Sequence, residues 1–101
     1  MTLTELPIIV DRDRIAGFCR ARGIRRLSLF GSVLRADFDP SRSDVDVLVE
    51  FLPGQAPGWE FFVWHEDLEA ILGCKVDLFS GLNRWIEPIV RQEAVALYEQ
   101  I

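Results

Sequence analysis

The stretch "LFGSVLRADFDPSRSDVDVLVEF", from Leu29 to Phe51, gathers most of the residues whose types and spacing could do chemistry. Asp44 and Asp46 open an apolar run of strand length. A carboxylate at the end of a buried strand costs solvation free energy unless something pairs with it. Side chains alternate along a strand, so the two aspartates share one face while Val45, Val47 and Val49 take the other. Carboxylates so spaced, about 6.6 Å apart at Cα, can converge on one cation or bracket two about 3.5–4 Å apart. An Asp-x-Asp alone is more often a strand-end turn with exposed acids.

Two further features shift the balance. Gly31-Ser32 lies between a strand and a short helix. The glycine lets backbone approach a ligand closely, and a helix start offers N–H groups to an anion. The Ser32 hydroxyl can add a hydrogen bond, although a serine N-cap is the ordinary reading of such a residue. Asp77, in the apolar segment "KVDLF", repeats the puzzle of a carboxylate in a strand. If its strand neighbours the first, three acids cluster, and their repulsion raises at least one pKa unless divalent cations hold them ionised. Hard oxygen donors without clustered His or Cys favour Mg²⁺ or Mn²⁺ over Zn²⁺. A phosphate cradle beside a carboxylate metal site is the equipment of phosphoryl or nucleotidyl transfer.

Elements must position these groups. Asp11 reads as the N-cap of a helix over about 12–22, stopped by Gly23. "RRLSLF" is a strand with Leu27 and Leu29 on one face and Ser28 and Phe30 on the other. After Gly31-Ser32 comes a helix of about six residues, the loop "DFDPSRS", the strand "DVDVLVEF" and the turn-rich "LPGQAPG". Residues 59–72 read as a helix closed by Gly73, "CKVDLFS" as a third strand, and 88–98 as a last helix with Pro88 in its first turn. This α-β-α-β-α-β-α order predicts a small α/β (α+β) fold, a sheet with helices packed on it, in one domain spanning 1–101.

Composition narrows the class. Half the 101 residues are hydrophobic and 27% are charged, which excludes disorder. No secretory leader and no apolar run of about 18 residues is present, so a cytoplasmic protein without membrane partners is expected. The net charge of -5 argues against nucleic acid as a partner. Cys19 and Cys74 lack metal-ligand spacing and read as buried or free thiols. His65, the one histidine, reads as a surface or interface residue. In the 59–72 segment Phe61, Trp64, Leu68, Ile71 and Leu72 form one apolar stripe at helical spacing. Trp59, Phe62 and Val63 form a second side, an aromatic surplus that suits a protein interface.

Taken together, "LFGSVLRADF", "SDVDVLVEF", "LEAILGCKVDLFS" and "EPIVRQEAVALYE" resemble the minimal nucleotidyltransferases of the DNA polymerase beta superfamily, above all the MNT antitoxins paired with HEPT toxins. The resemblance covers nearly the whole chain. It implies the polymerase beta-like nucleotidyltransferase fold with a small mixed sheet. It also implies transfer of AMP from ATP to a tyrosine hydroxyl of a HEPT-type toxin, or neutralisation of that partner by binding. Carried over by position, Gly31 and Ser32 hold the triphosphate. Asp44 and Asp46 bind a pair of Mg²⁺ ions, and Asp77 binds the catalytic metal and helps deprotonate the hydroxyl. Arg35 contacts phosphate or, as an alternative left open, pairs with Asp37 or Asp39. Eleven residues, 33–43, separate Ser32 from Asp44 where the family usually has ten, and the addition falls in "DPSRS".

Overall fold

The computed structural model describes residues 8–35, 37–39, 41–55, 57–81 and 84–100. Helix α1 (Arg12–Ala21) begins where the Asp11 side chain accepts the Arg14 N–H at 3.1 Å, and it buries Ile15, Phe18 and Cys19. Strand β1 (Ile24–Phe30) leads into a single turn of 3-10 helix, Gly31–Leu34. Strand β2 (Val45–Phe51) follows the loop. A second 3-10 stretch, Trp59–Val63, runs into helix α2 (Trp64–Leu72), which Gly73 closes in the left-handed region at φ 74°. Strand β3 (Val76–Phe79), helix α3 (Glu87–Glu93) and strand β4 (Val95–Glu99) complete the order.

The sheet is mixed, in the order β3-β2-β1-β4, with β2–β3 parallel and the other pairs antiparallel. Register explains its two faces. Leu27 pairs with Val49 and Leu29 with Val47. These four are fully buried in one core with Ile15, Phe18 and Cys19 of α1 and Trp64, Leu68 and Leu72 of α2. Phe18 meets Trp64 edge to face at 6.2 Å, and the Arg22 guanidinium lies 4.0 Å over the Phe18 ring while pairing with Asp67 at 2.9 Å. The other face carries three rows across the strands. Arg26 faces Glu50, Ser28 faces Leu48 and then Phe79, and Phe30 faces Asp46 and then Asp77. Leu48 and Ser28 are buried too, so this face is apolar in its middle row and charged on either side.

The C-terminal segment departs from the expected helix over 88–98. Helix α3 stops at Glu93, and Val95–Glu99 becomes β4 against the outer edge of β1. Val95, Leu97 and Tyr98 suit a strand, and an open β1 edge offers them a ladder that outweighs helix propensity. Helix α3 buries none of its residues. Arg91 ties it to the sheet by pairing with Glu50, which also meets Arg25 and Arg26, and it pairs with Glu87 within the helix at 2.6 Å. Two other elements are shorter than expected. The turn after Gly31 spans four residues because the chain is already extended at Arg35 (φ −99°, ψ 151°), and residues 59–63 wind as 3-10 rather than α-helix. Among the described residues no helix is long and apolar enough to cross a membrane.

Candidate active site

The chain turns out of β1 at Gly31, where φ is +75°, a conformation that L side chains rarely adopt. Space imposes the same choice. A Cβ on Gly31 would collide with the Asp46 carboxylate and lie 3.3 Å from its Cγ. Glycine therefore lets the turn close directly onto β2. Val33, fully buried, pins the turn to the core. The Ser32 hydroxyl lies 3.5 Å from the Asp44 carbonyl oxygen, a long donation, and the Ser32 carbonyl accepts the Arg35 N–H at 3.0 Å. Gly31 and Ser32 are thus held against the Asp44–Asp46 segment by backbone geometry.

Asp46 and Asp77 are direct neighbours across the parallel β2–β3 pair, so both side chains leave the same face. Asp44 sits one residue before β2, exposed like Asp77, while Asp46 is half-buried. Burial pushes the Asp46 pKa up, and the neighbouring Asp77 and Asp44 carboxylates push it further; Arg35 pulls the other way. The two other predicted carboxylates and Arg35 therefore all act on Asp46. They do not form a closed ligand set: among the described residues no group of three or more His, Cys, Asp or Glu side chains is arranged to hold a metal ion.

Among the described residues no ion pair joins Arg35 to Asp37 or Asp39. Asp39 is occupied otherwise. Its carboxylate accepts the Ser41 N–H at 3.0 Å and the Ser41 hydroxyl at 2.7 Å, and its carbonyl accepts the N–H groups of Arg42 and Ser43. These hydrogen bonds of Asp39 tighten the chain ahead of Asp44. The Ser41 hydrogen bonds also hold the Asp39 pKa below the ordinary value.

Two clefts flank the carboxylates. One, of about 560 Å³, is lined by Gly31, Leu34 and Arg35 and by residues 92–95 at the α3–β4 junction. The other, of about 300 Å³, lies along the β3 edge between Asp77 with its strand neighbours and Phe61, Phe62 and His65. A wider hollow of about 690 Å³ sits at Gly23 and Leu52, at the opposite ends of β1 and β2, and holds none of the predicted site residues. His65 is the residue that the sequence reading set aside. The short link from Gly73 to Lys75 lays α2 beside β3, and that proximity was the one available signal.

The stripe Phe61, Trp64, Leu68, Ile71 and Leu72 packs on or into the core as expected. Trp59 and Phe62 stand 78% and 75% exposed. A second exposed apolar group, Trp85, Ile86 and Ile89 around α3, was not singled out in the sequence, where 88–98 read only as a last helix.

The nucleotidyltransferase domain profile matches residues 12–98, nearly the whole chain. The chain belongs to the nucleotidyltransferase domain family. A solved protein assigned as a minimal nucleotidyltransferase is 32% identical, with a TM-score of 0.67 over 83% of this chain and 86% of that one. A toxin–antitoxin structure with AMP-PNP gives a TM-score of 0.70 at 18% identity, covering 90% of this chain and 75% of that one. A complex of tri-AMPylated Shewanella oneidensis HEPN toxin with MNT antitoxin gives 0.62 at 17%, covering 88% and 70%. At such identities the last two likenesses speak for the fold. No curated protein sequence matches the chain. For this nucleotidyltransferase the mixed sheet and its flanking helices agree with the fold expected from the sequence.

Proposed function

We propose that this nucleotidyltransferase moves AMP from ATP to a hydroxyl of a protein partner, a tyrosine of a HEPT- or HEPN-type toxin, and so neutralises it. One observation carries the reading: Asp46 stands beside Asp77 in register and against Gly31 at the turn, next to a cleft of nucleotide size. The structural neighbours that pair a toxin with AMP-PNP or carry an AMPylated HEPN toxin point to donor and acceptor.

Asp44, Asp46 and Asp77 fit a hard divalent cation by donor chemistry, because all are carboxylate oxygens whose repulsion a cation relieves. Two Mg²⁺ ions held there would supply charge neutralisation at the attacking and leaving oxygens. Gly31 and Ser32 receive the triphosphate through the turn, and Arg35 supplies positive charge beside it. The acceptor oxygen attacks the α-phosphorus in line. A bond forms between that oxygen and phosphorus, and the bond to the bridging oxygen breaks with its electron pair leaving on pyrophosphate. Asp77 takes the hydroxyl proton and passes it to water.

The exposed Trp59 and Phe62 favour a second reading, in which the partner is neutralised by stoichiometric binding. Intact mass of the cognate toxin after incubation with this protein, ATP and Mg²⁺ separates the two. Added AMP that disappears with EDTA supports transfer. An unmodified toxin in a stable complex overturns it.

A further inference from the structure

Helix α3 buries none of its residues, and Ile86 and Ile89 at its start stay exposed, so apolar packing does not fix where it sits. A charge does. Among the described residues the ion pair between Arg91 and Glu50 is the one that joins α3 to the sheet. The other partner of Arg91, Glu87, belongs to the helix itself and cannot anchor it. Glu50 suits the task. Its side chain is 14% exposed, and Arg25 and Arg26 also meet it, at 3.9 and 3.6 Å. A carboxylate so enclosed by guanidinium groups is less screened by water and salt than an exposed pair.

The anchor reaches the nucleotide cleft. Helix α3 ends at Glu93, the Ala94 N–H donates to the Val90 carbonyl at 2.8 Å, and the chain enters β4 at Val95. Residues 92–95 line the cleft of about 560 Å³ together with Gly31, Leu34 and Arg35. Glu50 itself is remote. It lies four residues along β2 from Asp46, about 13 Å in an extended strand. It therefore acts on a nucleotide through α3, not by contact. A ligand in a cleft takes its contacts from all sides, so a shift of 92–95 changes the fit while the Gly31 turn and the carboxylates stay in place.

We propose that Glu50 is a positioning residue for the nucleotide: through Arg91 it holds α3, and α3 sets the 92–95 wall of the cleft. The proposal rests on the nucleotide reading above, and it adds a residue that lies outside the Gly-Ser turn and the carboxylate row.

The test is a double-mutant cycle on the full chain, with ATP affinity read by calorimetry in Mg²⁺. Glu50→Gln and Arg91→Ala should each weaken ATP roughly fivefold, and the double variant should be no weaker than either, because both break one link. Arg25→Ala, which also loses a Glu50 contact but none to α3, should bind ATP as wild type does. Arg91 is exposed, so Arg91→Ala keeps the test valid should Glu50→Gln fold poorly. Without nucleotide, the backbone amide NMR signals of residues 92–95 should move in Glu50→Gln and stay still in Arg25→Ala. In AMP transfer, Glu50→Gln should raise KM for ATP with little change in KM for the toxin. Additive losses in the cycle, wall signals that stay still, or a moved wall with unchanged ATP affinity each overturn the role of Glu50. A wild-type chain that binds no ATP overturns the nucleotide reading and this role with it, while the wall signals still show whether Glu50 holds α3, so the two failures are read apart.

Discussion

Gly31–Leu34 and Trp59–Val63 are both short stretches of 3-10 helix, the first against Asp46 and the second leading into α2. The first is pinned by the fully buried Val33, whereas the second buries none of its residues. A phosphorus atom undergoing in-line displacement tolerates little misplacement, so the nucleotide end gains from a turn locked to the core. The partner end presents rings on a segment with few internal contacts, which can adjust to a second surface. Under the proposed transfer, precision at one end and adaptability at the other would follow from how much of each turn the core claims.

The largest test of the proposed chemistry is Asp77, on the edge strand beside Asp46. Asp77→Asn should lower AMP transfer by about 10²-fold or more while ATP affinity, by calorimetry, stays close to wild type. Transfer at the wild-type rate would make Asp77 structural. At the adaptable end, Trp59→Ala should cost about 2 kcal/mol in toxin binding, as truncation of an interface anchor does. The same variant should bind ATP unchanged, and an unaltered toxin affinity would remove Trp59 from the interface.

At the locked end, Gly31→Ala meets both a positive φ and the Asp46 carboxylate. Its left-handed backbone alone should cost about 1–2 kcal/mol. ATP affinity should fall roughly tenfold, and thermal melting should move down with it. Arg35→Ala should weaken ATP a few-fold, less so at high salt, because the residue is exposed and acts through charge. If Asp37→Ala changed ATP binding as much as Arg35→Ala, the pairing left open by the sequence would regain its place.

Much of this site was legible in the sequence, for local reasons. The Gly-Ser turn, the alternation in "DVDVLVEF" and the carboxylate in "KVDLF" are written in neighbouring residues. That β3 lies beside β2, with Asp77 opposite Asp46, was stated as a condition and is met. The strand at Val95–Glu99 was not legible. The sequence "EPIVRQEAVALYE" has helical spacing throughout, and only the open edge of β1, far away in the chain, selects a strand for its second half. His65 escaped for a similar reason. Its place in the cleft along the β3 edge comes from a helix laid along a strand, and nothing in "WHED" announces it. Three arginines of the N-terminal half are engaged elsewhere: Arg22, Arg25 and Arg26 pair with Asp67, Glu50 and Glu99. Arg35 is the one whose charge reaches Asp46.

The smallest effect comes from the repulsion within the carboxylate row. With its folded pKa raised, Asp46 contributes most stability below the ordinary carboxylate pKa, and that contribution is lost as pH rises through the raised value. Asp46→Asn should therefore melt a few degrees higher than wild type at neutral pH without divalent cation, and the gap should close as pH falls. Added Mg²⁺ should raise the wild-type melting temperature and leave the variant nearly unmoved. A variant that melts lower at neutral pH would show that Asp46 holds the turn rather than straining it.

The central claim is that the carboxylates neutralise the partner by chemistry. It is tested most directly by growth rescue in cells expressing the cognate toxin, comparing wild type with Asp44→Asn plus Asp46→Asn at matched protein levels. The account predicts that the double variant still forms the complex, leaves the toxin without added AMP and fails to rescue. Rescue equal to wild type by a variant that transfers no AMP would contradict it.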